Sequence, residues 1–133
     1  MAQKQILEFS MKRLALLIIG LISLAVYPAY AHTRLSVATP ADAEITTAAP
    51  EEIVLEFSAN VRLLSVRLAN VDGATIELGP VPEKTQTLFT LPIMVDLTPG
   101  DYTVSWRVVG ADTHAVSGNL SFIVTDTEAV ASH

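Results

Sequence analysis

The chain contains 133 residues, half of them hydrophobic, and its formal net charge is −6 with histidine counted as neutral. An acidic chain of this kind lacks the basic face that binding to nucleic acid requires, so nucleic acid is excluded as a partner. There is no cysteine, which excludes disulfide bonds and thiolate metal ligands, so a hydrophobic core must hold the fold together.

Residues 1–31 have the layout of a cleavable secretory signal peptide. Lys12 and Arg13 precede an uncharged, mostly apolar run at residues 14–26, and a small-x-small tripeptide at residues 29–31 ends the segment. The apolar run is shorter than the roughly 20 residues that a membrane-spanning helix needs, which favours a cleaved signal over an uncleaved anchor. We therefore predict cleavage after Ala31 and export of a protein that begins at His32.

Residues 32–125 are predicted to form one domain, and residues 126–133 a flexible tail. Residues 32–133 contain five basic and thirteen acidic side chains, a net charge of −8. Short alternating runs separated by Pro, Gly and Asp are typical of antiparallel strands, and no stretch shows sustained helical periodicity. About seven strands at this spacing predict an all-β sandwich.

The predicted strands follow one another along the whole domain. In chain order they are a strand around Leu35 and Val37, strands at residues 53–57 and 64–68, a strand at 75–78 that follows a hairpin turn at 71–74, and strands at 88–95, 102–108 and 120–124. The clearest period-two stripe includes Trp106, which we expect in the core. Arg107 then lies on the opposite face, where it either meets solvent or orients Asp112.

Three side chains are candidate metal ligands. After cleavage, His32 would carry a free α-amine beside its imidazole, and the two nitrogens can close a chelate ring on a metal ion. Asp112 and His114 are two residues apart, and an extended backbone would point both side chains to one side. Neither feature alone indicates a metal, because a loop aspartate beside a histidine is ordinarily just solvated. Their coincidence is a stronger signal, but the residues alone leave open whether His32 meets the pair Asp112 and His114. His133 in the tail is assigned no role.

Three segments carry a family resemblance. They are His32-Thr-Arg-Leu with Thr39-Pro-Ala-Asp, residues 53–58, and residues 102–122, which contain Trp-Arg-Val-Val, Asp-x-His and Val-Ser-Gly in that order. The set resembles the CopC/PcoC family of periplasmic copper-binding proteins. The resemblance implies an immunoglobulin-like Greek-key β-sandwich in the periplasm. It also implies one Cu(II) ion per chain, bound by His32 through its amine and imidazole together with Asp112 and His114.

The chain departs from the family pattern in two places. Some members have a methionine-rich loop that binds Cu(I), but residues 72–86 here contain neither methionine nor histidine. Because Cu(I) selects soft sulfur ligands, no Cu(I) site is expected. Some members also have a glutamate at the position of Ala59, so this chain lacks an extra carboxylate ligand there.

The first functional hypothesis is a copper carrier without enzymatic activity. Three nitrogens and one carboxylate oxygen in a plane suit tetragonal Cu(II), which also leads the divalent affinity order. The expected roles are copper sequestration, resistance or delivery by a monomer, and the resemblance implies a CopD-like inner-membrane protein as partner. One alternative is a metal-free β-sandwich interaction module. The other is a histidine-brace copper oxidase-type enzyme, which is disfavoured because aromatic residues are few and Asp112 would fill the fourth equatorial position.

Overall fold

The computed structural model describes residues 32–126. The chain divides into two units, Met1–His32 and Thr33–His133, and the strands all belong to the second. The predicted signal peptide and the tail beyond Asp126 lie outside the described residues. Within the described part of the chain, no helix has the length and apolar character needed to cross a membrane.

Seven β-strands build the second unit, and residues 32–126 contain no helix. The strands are β1 (Leu35–Thr39), β2 (Glu44–Thr46), β3 (Glu52–Asn70), β4 (Thr75–Ile76), β5 (Gln86–Pro92), β6 (Gly100–Val109) and β7 (Ala115–Val124). The prediction of an all-β fold with about seven strands is confirmed.

Strand β3, with 19 residues, joins the two sheets of the sandwich. Its first part pairs antiparallel with β1 and β5, and its second part pairs antiparallel with β4 and β6. The register shifts between Leu63 and Ser65, an irregularity of the kind that bends a strand. The prediction of separate strands at residues 53–57 and 64–68 is wrong, because the residues between them include no Gly or Pro and stay extended.

Strands β6 and β7 form a long antiparallel pair, and β2 lies parallel to β7 at the edge of the same sheet. The sequence pattern did not predict β2, because its three residues are too few to establish a period of two. Distant partners hold this segment in place: Ala43 N–H donates to Ser121 O at 2.7 Å, and Ser121 N–H donates to Asp42 Oδ1 at 3.0 Å.

The remaining predicted strands are present with different ends. The strand at residues 75–78 is reduced to two residues in β4, and the strand at 88–95 is shifted towards its start in β5. The last strand begins at Ala115 instead of residue 120, because residues 115–119, which have no large apolar stripe, still pair with β6.

Apolar side chains from the two sheets pack into one core. Phe57 on β3 meets Trp106 on β6 edge to face, with ring centroids 5.1 Å apart and an interplanar angle of 76°. Phe57 makes a second edge-to-face contact with Phe89 on β5 at 6.0 Å. Such contacts add to the stabilisation that aromatic side chains gain from burial. The prediction that Trp106 belongs to the core is confirmed, since its exposed fraction is 8%.

Gly118 leaves the space that Trp106 occupies. The two residues are cross-strand partners on β7 and β6. A Cβ atom at position 118 would collide with Trp106 Cζ2 and lie 2.8 Å from Cε2. The indole therefore lies directly against the backbone of β7, and any larger residue at this position would displace it.

Residues 110–114 form the turn between β6 and β7. Thr113 N–H donates to Gly110 O at 3.1 Å, and Thr113 has a φ of 66°, a left-handed value that L-residues with a branched Cβ disfavour. The expectation of an extended segment through Asp112 and His114 is wrong. The chain turns here because β6 and β7 remain paired as far as Val109 and Ala115, which leaves five residues to reverse direction.

We predict that Gly118→Ala lowers the free energy of unfolding by about 1–3 kcal/mol, the usual cost of overpacking a core. Urea denaturation followed by tryptophan fluorescence measures this change. Ser117→Thr is the matched control, because it adds one methyl group on the exposed side of the same strand and should change the stability by less than about 0.5 kcal/mol. Equal stability of the two variants would contradict the packing described for Trp106.

We predict that Thr113→Gly raises the free energy of unfolding by about 0.5–1 kcal/mol. Relief of the left-handed backbone contributes roughly 1–2 kcal/mol, and the greater freedom of glycine in the unfolded chain offsets about 0.5–1 kcal/mol of it. Thr113→Ala is the control, since it keeps a Cβ atom and should gain less. A Thr113→Gly protein that unfolds at lower urea concentration than the parent would show that position 113 is not left-handed in solution.

Candidate metal site

Asp112 and His114 are brought together by the β6–β7 turn. Asp112 Oδ2 lies 3.3 Å from His114 Nδ1, and Asp112 Oδ1 accepts the His114 backbone N–H at 3.2 Å. Both oxygens of the carboxylate therefore meet the same residue. The side chains point into solvent, with exposed fractions of 51% for Asp112 and 85% for His114. The two side chains lie together, as the sequence analysis expects. A turn brings them together, and not the extended backbone that the sequence analysis assumed.

The surroundings of Asp112 favour its ionised form. The hydrogen bond from the His114 backbone N–H is the largest cause that lowers the pKa of the Asp112 carboxyl, and the hydrogen bond with the His114 side chain adds to it. Both bonds stabilise the carboxylate more than the protonated acid. Asp112 is therefore a charged acceptor at neutral pH, available to a cation.

His32, the third predicted ligand, is exposed and belongs to the unit Met1–His32. The pair Asp112–His114 is thus the part of the predicted site that the structure brings together. Among residues 32–126, no three side chains of the types His, Cys, Asp or Glu are grouped around a common point.

Thr33 and Gly110 also lie at this turn, and the sequence analysis missed both. Thr33 Oγ1 is 3.1 Å, and Asp112 Oδ1 3.2 Å, from the point that a Cβ atom on Gly110 would occupy. Thr33 is half-buried and is the first residue of the second unit. The sequence signal available was a glycine at the end of a β-strand, which often marks a close approach of another part of the chain.

Arg107 does not orient Asp112. It is exposed on β6 between its cross-strand neighbours Ser65 and Ser117, and within residues 32–126 no hydrogen bond or ion pair joins it to Asp112. Ala59 is exposed on β3 and supplies no carboxylate. Of the two readings that the sequence left open for Arg107, the solvent-facing one is confirmed.

The chemistry of the pair fits a transition metal of intermediate softness. Imidazole nitrogen and carboxylate oxygen are both ligands of tetragonal Cu(II) sites. Two ligand atoms about 2.0 Å from one metal and at right angles to each other are about 2.8 Å apart. Asp112 Oδ2 and His114 Nδ1, at 3.3 Å, are close to that spacing before any ion binds.

A groove elsewhere on the second unit has a different chemistry. It is lined by Arg62, Leu63, Leu64, Val81, Pro82 and Glu83. These residues are mostly apolar and include a single carboxylate and no histidine, which is not a set that holds a transition metal. The β6–β7 turn is therefore the candidate metal site.

Comparison with known proteins gives the relatives of the chain. Residues 35–125 match the CopC domain. Protein YobA from Escherichia coli strain K12 is 33% identical over 115 residues, which cover 84% of this chain and 90% of YobA. Copper resistance protein C from Escherichia coli is 30% identical over 122 residues, which cover 83% of this chain and 94% of that protein.

A solved structure agrees with these sequence matches. The crystal structure of CopC from Methylosinus trichosporium OB3b superposes with a TM-score of 0.62 and 25% identity, over 72% of this chain and 96% of the other. The β-sandwich expected from the sequence is confirmed, and so is the resemblance to the CopC/PcoC family. The chain belongs to the CopC family.

Proposed function

We propose that this protein is an exported Cu(II) carrier of the periplasm that binds one ion per chain. His32, as the first residue of the processed protein, supplies its amine and imidazole, and Asp112 and His114 supply the remaining two ligands. The observation that carries the proposal is the Asp112–His114 pair at the β6–β7 turn, with 3.3 Å between Oδ2 and Nδ1 and both side chains open to solvent.

Chain connectivity supports the inclusion of His32. Thr33 Oγ1 and Asp112 Oδ1 both approach Gly110, so the start of the second unit lies beside the turn. Consecutive α-carbons are about 3.8 Å apart, and a histidine side chain extends further than that. Once a signal peptidase has cut after Ala31, the residue bonded to Thr33 carries a free amine and an imidazole.

The exposure of the pair supports a carrier over an enzyme. A ligand such as His114, with 85% of its side chain exposed, is accessible to an incoming ligand from another protein. A histidine-brace enzyme would require a substrate platform, commonly aromatic, but every aromatic side chain within residues 32–126 is buried. We propose that the recipient or donor of the ion is a CopD-like protein of the inner membrane.

The proposed ion is Cu(II) and not Cu(I). The ligand set consists of nitrogen and oxygen, whereas Cu(I) selects thioether and thiolate sulfur. Met94 is exposed on the loop after β5, and it is the single methionine of residues 32–133. One thioether without a second soft ligand does not make a Cu(I) site.

We predict that the processed protein beginning at His32 binds one Cu(II) per chain, and that one alanine added before His32 weakens binding at least about 100-fold. The added residue converts the amine into an amide, which is a poor neutral donor. Removal of a group that only supports a ligand commonly weakens metal binding by about 10- to 100-fold, and the loss of a ligand atom should weaken it at least as much. Titration with a competing chelator measures the dissociation constants.

A chain with one alanine added after His133 is the control for lengthening, and it should bind like the parent. Equal affinities of the two lengthened chains would remove the amine from the ligand set.

We predict that Asp112→Ala and His114→Ala each weaken Cu(II) binding by about tenfold or more, while the metal-free proteins keep the parent's melting temperature within a few degrees. Both side chains are exposed, so little packing is lost. His133→Ala is the matched control and should bind Cu(II) like the parent. If His114→Ala bound Cu(II) as tightly as His133→Ala, His114 would be removed from the ligand set. A parent protein that bound no Cu(II) would favour the metal-free interaction module.

The pH dependence of the same titrations separates the two ligands. An imidazole must lose its proton to bind a metal, so affinity falls as the pH falls. The lowered pKa of Asp112 keeps its carboxylate ionised in mild acid, so Asp112 adds nothing to this fall. In mild acid, the loss of affinity per pH unit should therefore be smaller in His114→Ala than in the parent, and unchanged in Asp112→Ala. A parent-like slope in His114→Ala would contradict the role of His114.

A further inference from the structure

We infer that Gly110 and Thr33 are positioning residues of the copper site. Because Gly110 has no side chain, Thr33 and the Asp112 carboxylate can approach each other. This inference rests on the proposed function. It assigns a role to two residues that supply no ligand atom, and it makes copper affinity depend on the space between them.

Space, and not backbone conformation, is the reason for a glycine at position 110. Gly73 and Gly100 have positive φ angles of 81° and 155°, which side chains rarely adopt, whereas Gly110 is not among the residues with positive φ. Gly110 is half-buried, and a Cβ atom there would lie 3.1 Å from Thr33 Oγ1 and 3.2 Å from Asp112 Oδ1. Both contacts are shorter than a carbon and an oxygen atom ordinarily tolerate, so a side chain would have to push at least one of the two away.

Asp112 has little freedom to move aside. Its Oδ1 accepts the His114 backbone N–H at 3.2 Å, and its Oδ2 lies 3.3 Å from His114 Nδ1. A displacement of Oδ1 would lengthen the backbone hydrogen bond and rotate Oδ2 relative to the imidazole. The mutual geometry of two proposed ligands therefore depends on the absence of a side chain at position 110.

The segment that contains Thr33 is also held by β3. Arg34 N–H donates to Ser58 Oγ at 3.1 Å, and Ser58 N–H donates to Arg34 O at 2.9 Å. These two bonds hold Arg34, the residue after Thr33, against Ser58 of β3. Thr33 thus lies between a fixed neighbour and Gly110, which limits how far it can move aside.

The test compares Cu(II) dissociation constants of processed proteins that begin at His32. Gly110→Ala should weaken binding about tenfold or more, as disturbance of outer-shell groups commonly does. Thr33→Ala removes Oγ1, one of the two atoms that the new Cβ would meet. Its dissociation constant should stay within about threefold of the parent's, which is less than the change that loss of a ligand-supporting group causes. The double variant Thr33→Ala/Gly110→Ala should bind more tightly than Gly110→Ala alone. Ser117→Thr, which adds a methyl group on the exposed side of β7, is the control for size and should match the parent.

A metal-free measurement shows whether the effect arises at the turn. In the amide NMR spectrum of the apo protein, the His114 signal should shift in Gly110→Ala in the direction seen in Asp112→Ala, because both changes weaken the same hydrogen bond. Signals from β2 and from its partner residues 122–124 on β7 should stay in place in both variants. In the copper-loaded protein, the electron paramagnetic resonance spectrum of Cu(II) should change in Gly110→Ala but not in Ser117→Thr.

The outcomes separate this inference from the proposed function. If the parent binds Cu(II) and Gly110→Ala binds equally well with an unshifted His114 amide, the positioning role is overturned and the carrier function stands. A double variant that binds no better than Gly110→Ala overturns the part assigned to Thr33. If the parent itself binds no Cu(II), the proposed function fails and the positioning role falls with it.

Discussion

The packing of Trp106 between Phe57 and the backbone of Gly118 is the contact on which the rest of the domain depends. Phe57 belongs to the part of β3 that pairs with β1 and β5, whereas Trp106 and Gly118 belong to the other sheet, so one indole joins both layers. The same contact brings β6 and β7 together four residues before the turn that carries Asp112 and His114. The turn itself is held by only a few hydrogen bonds. The packed strands β6 and β7 beneath it therefore provide the rigidity on which the position of the exposed pair depends.

The fold was predictable where the period-two pattern coincides with burial. The stripe containing Tyr102, Val104 and Trp106 identifies β6 because every second residue is buried by the opposite sheet. The pattern failed where partners from far along the chain decide the structure. Strand β2 is stabilised by hydrogen bonds to Ser121, and β3 runs on through residues 58–63 because different neighbours pair with its two parts.

The candidate site was predictable in its residue types and not in its geometry. A spacing of two between Asp112 and His114 was enough to nominate the pair, although the backbone between them is left-handed at Thr113 and not extended. Gly110 and Thr33 carry no metal-binding group, and their relation joins residues 77 positions apart in sequence, so no local pattern identifies it. Closure of the β6–β7 hairpin brings Gly110, Asp112 and His114 together, and Thr33 joins them from the segment before β1.

The edges of the two sheets have a consequence for the protein at high concentration. Exposed strand edges invite chains to add to one another, and such association grows with protein concentration. Here the edge strands β2 and β4 have three and two residues, β1 contains a register shift between Leu35 and Val37, and β5 ends in Pro92. The edges β1, β2 and β4 are short or irregular, and Pro92 removes a backbone donor at the end of β5. These features make the edges poor templates for a further strand, so the long strands β3, β6 and β7 are screened from edge-to-edge aggregation.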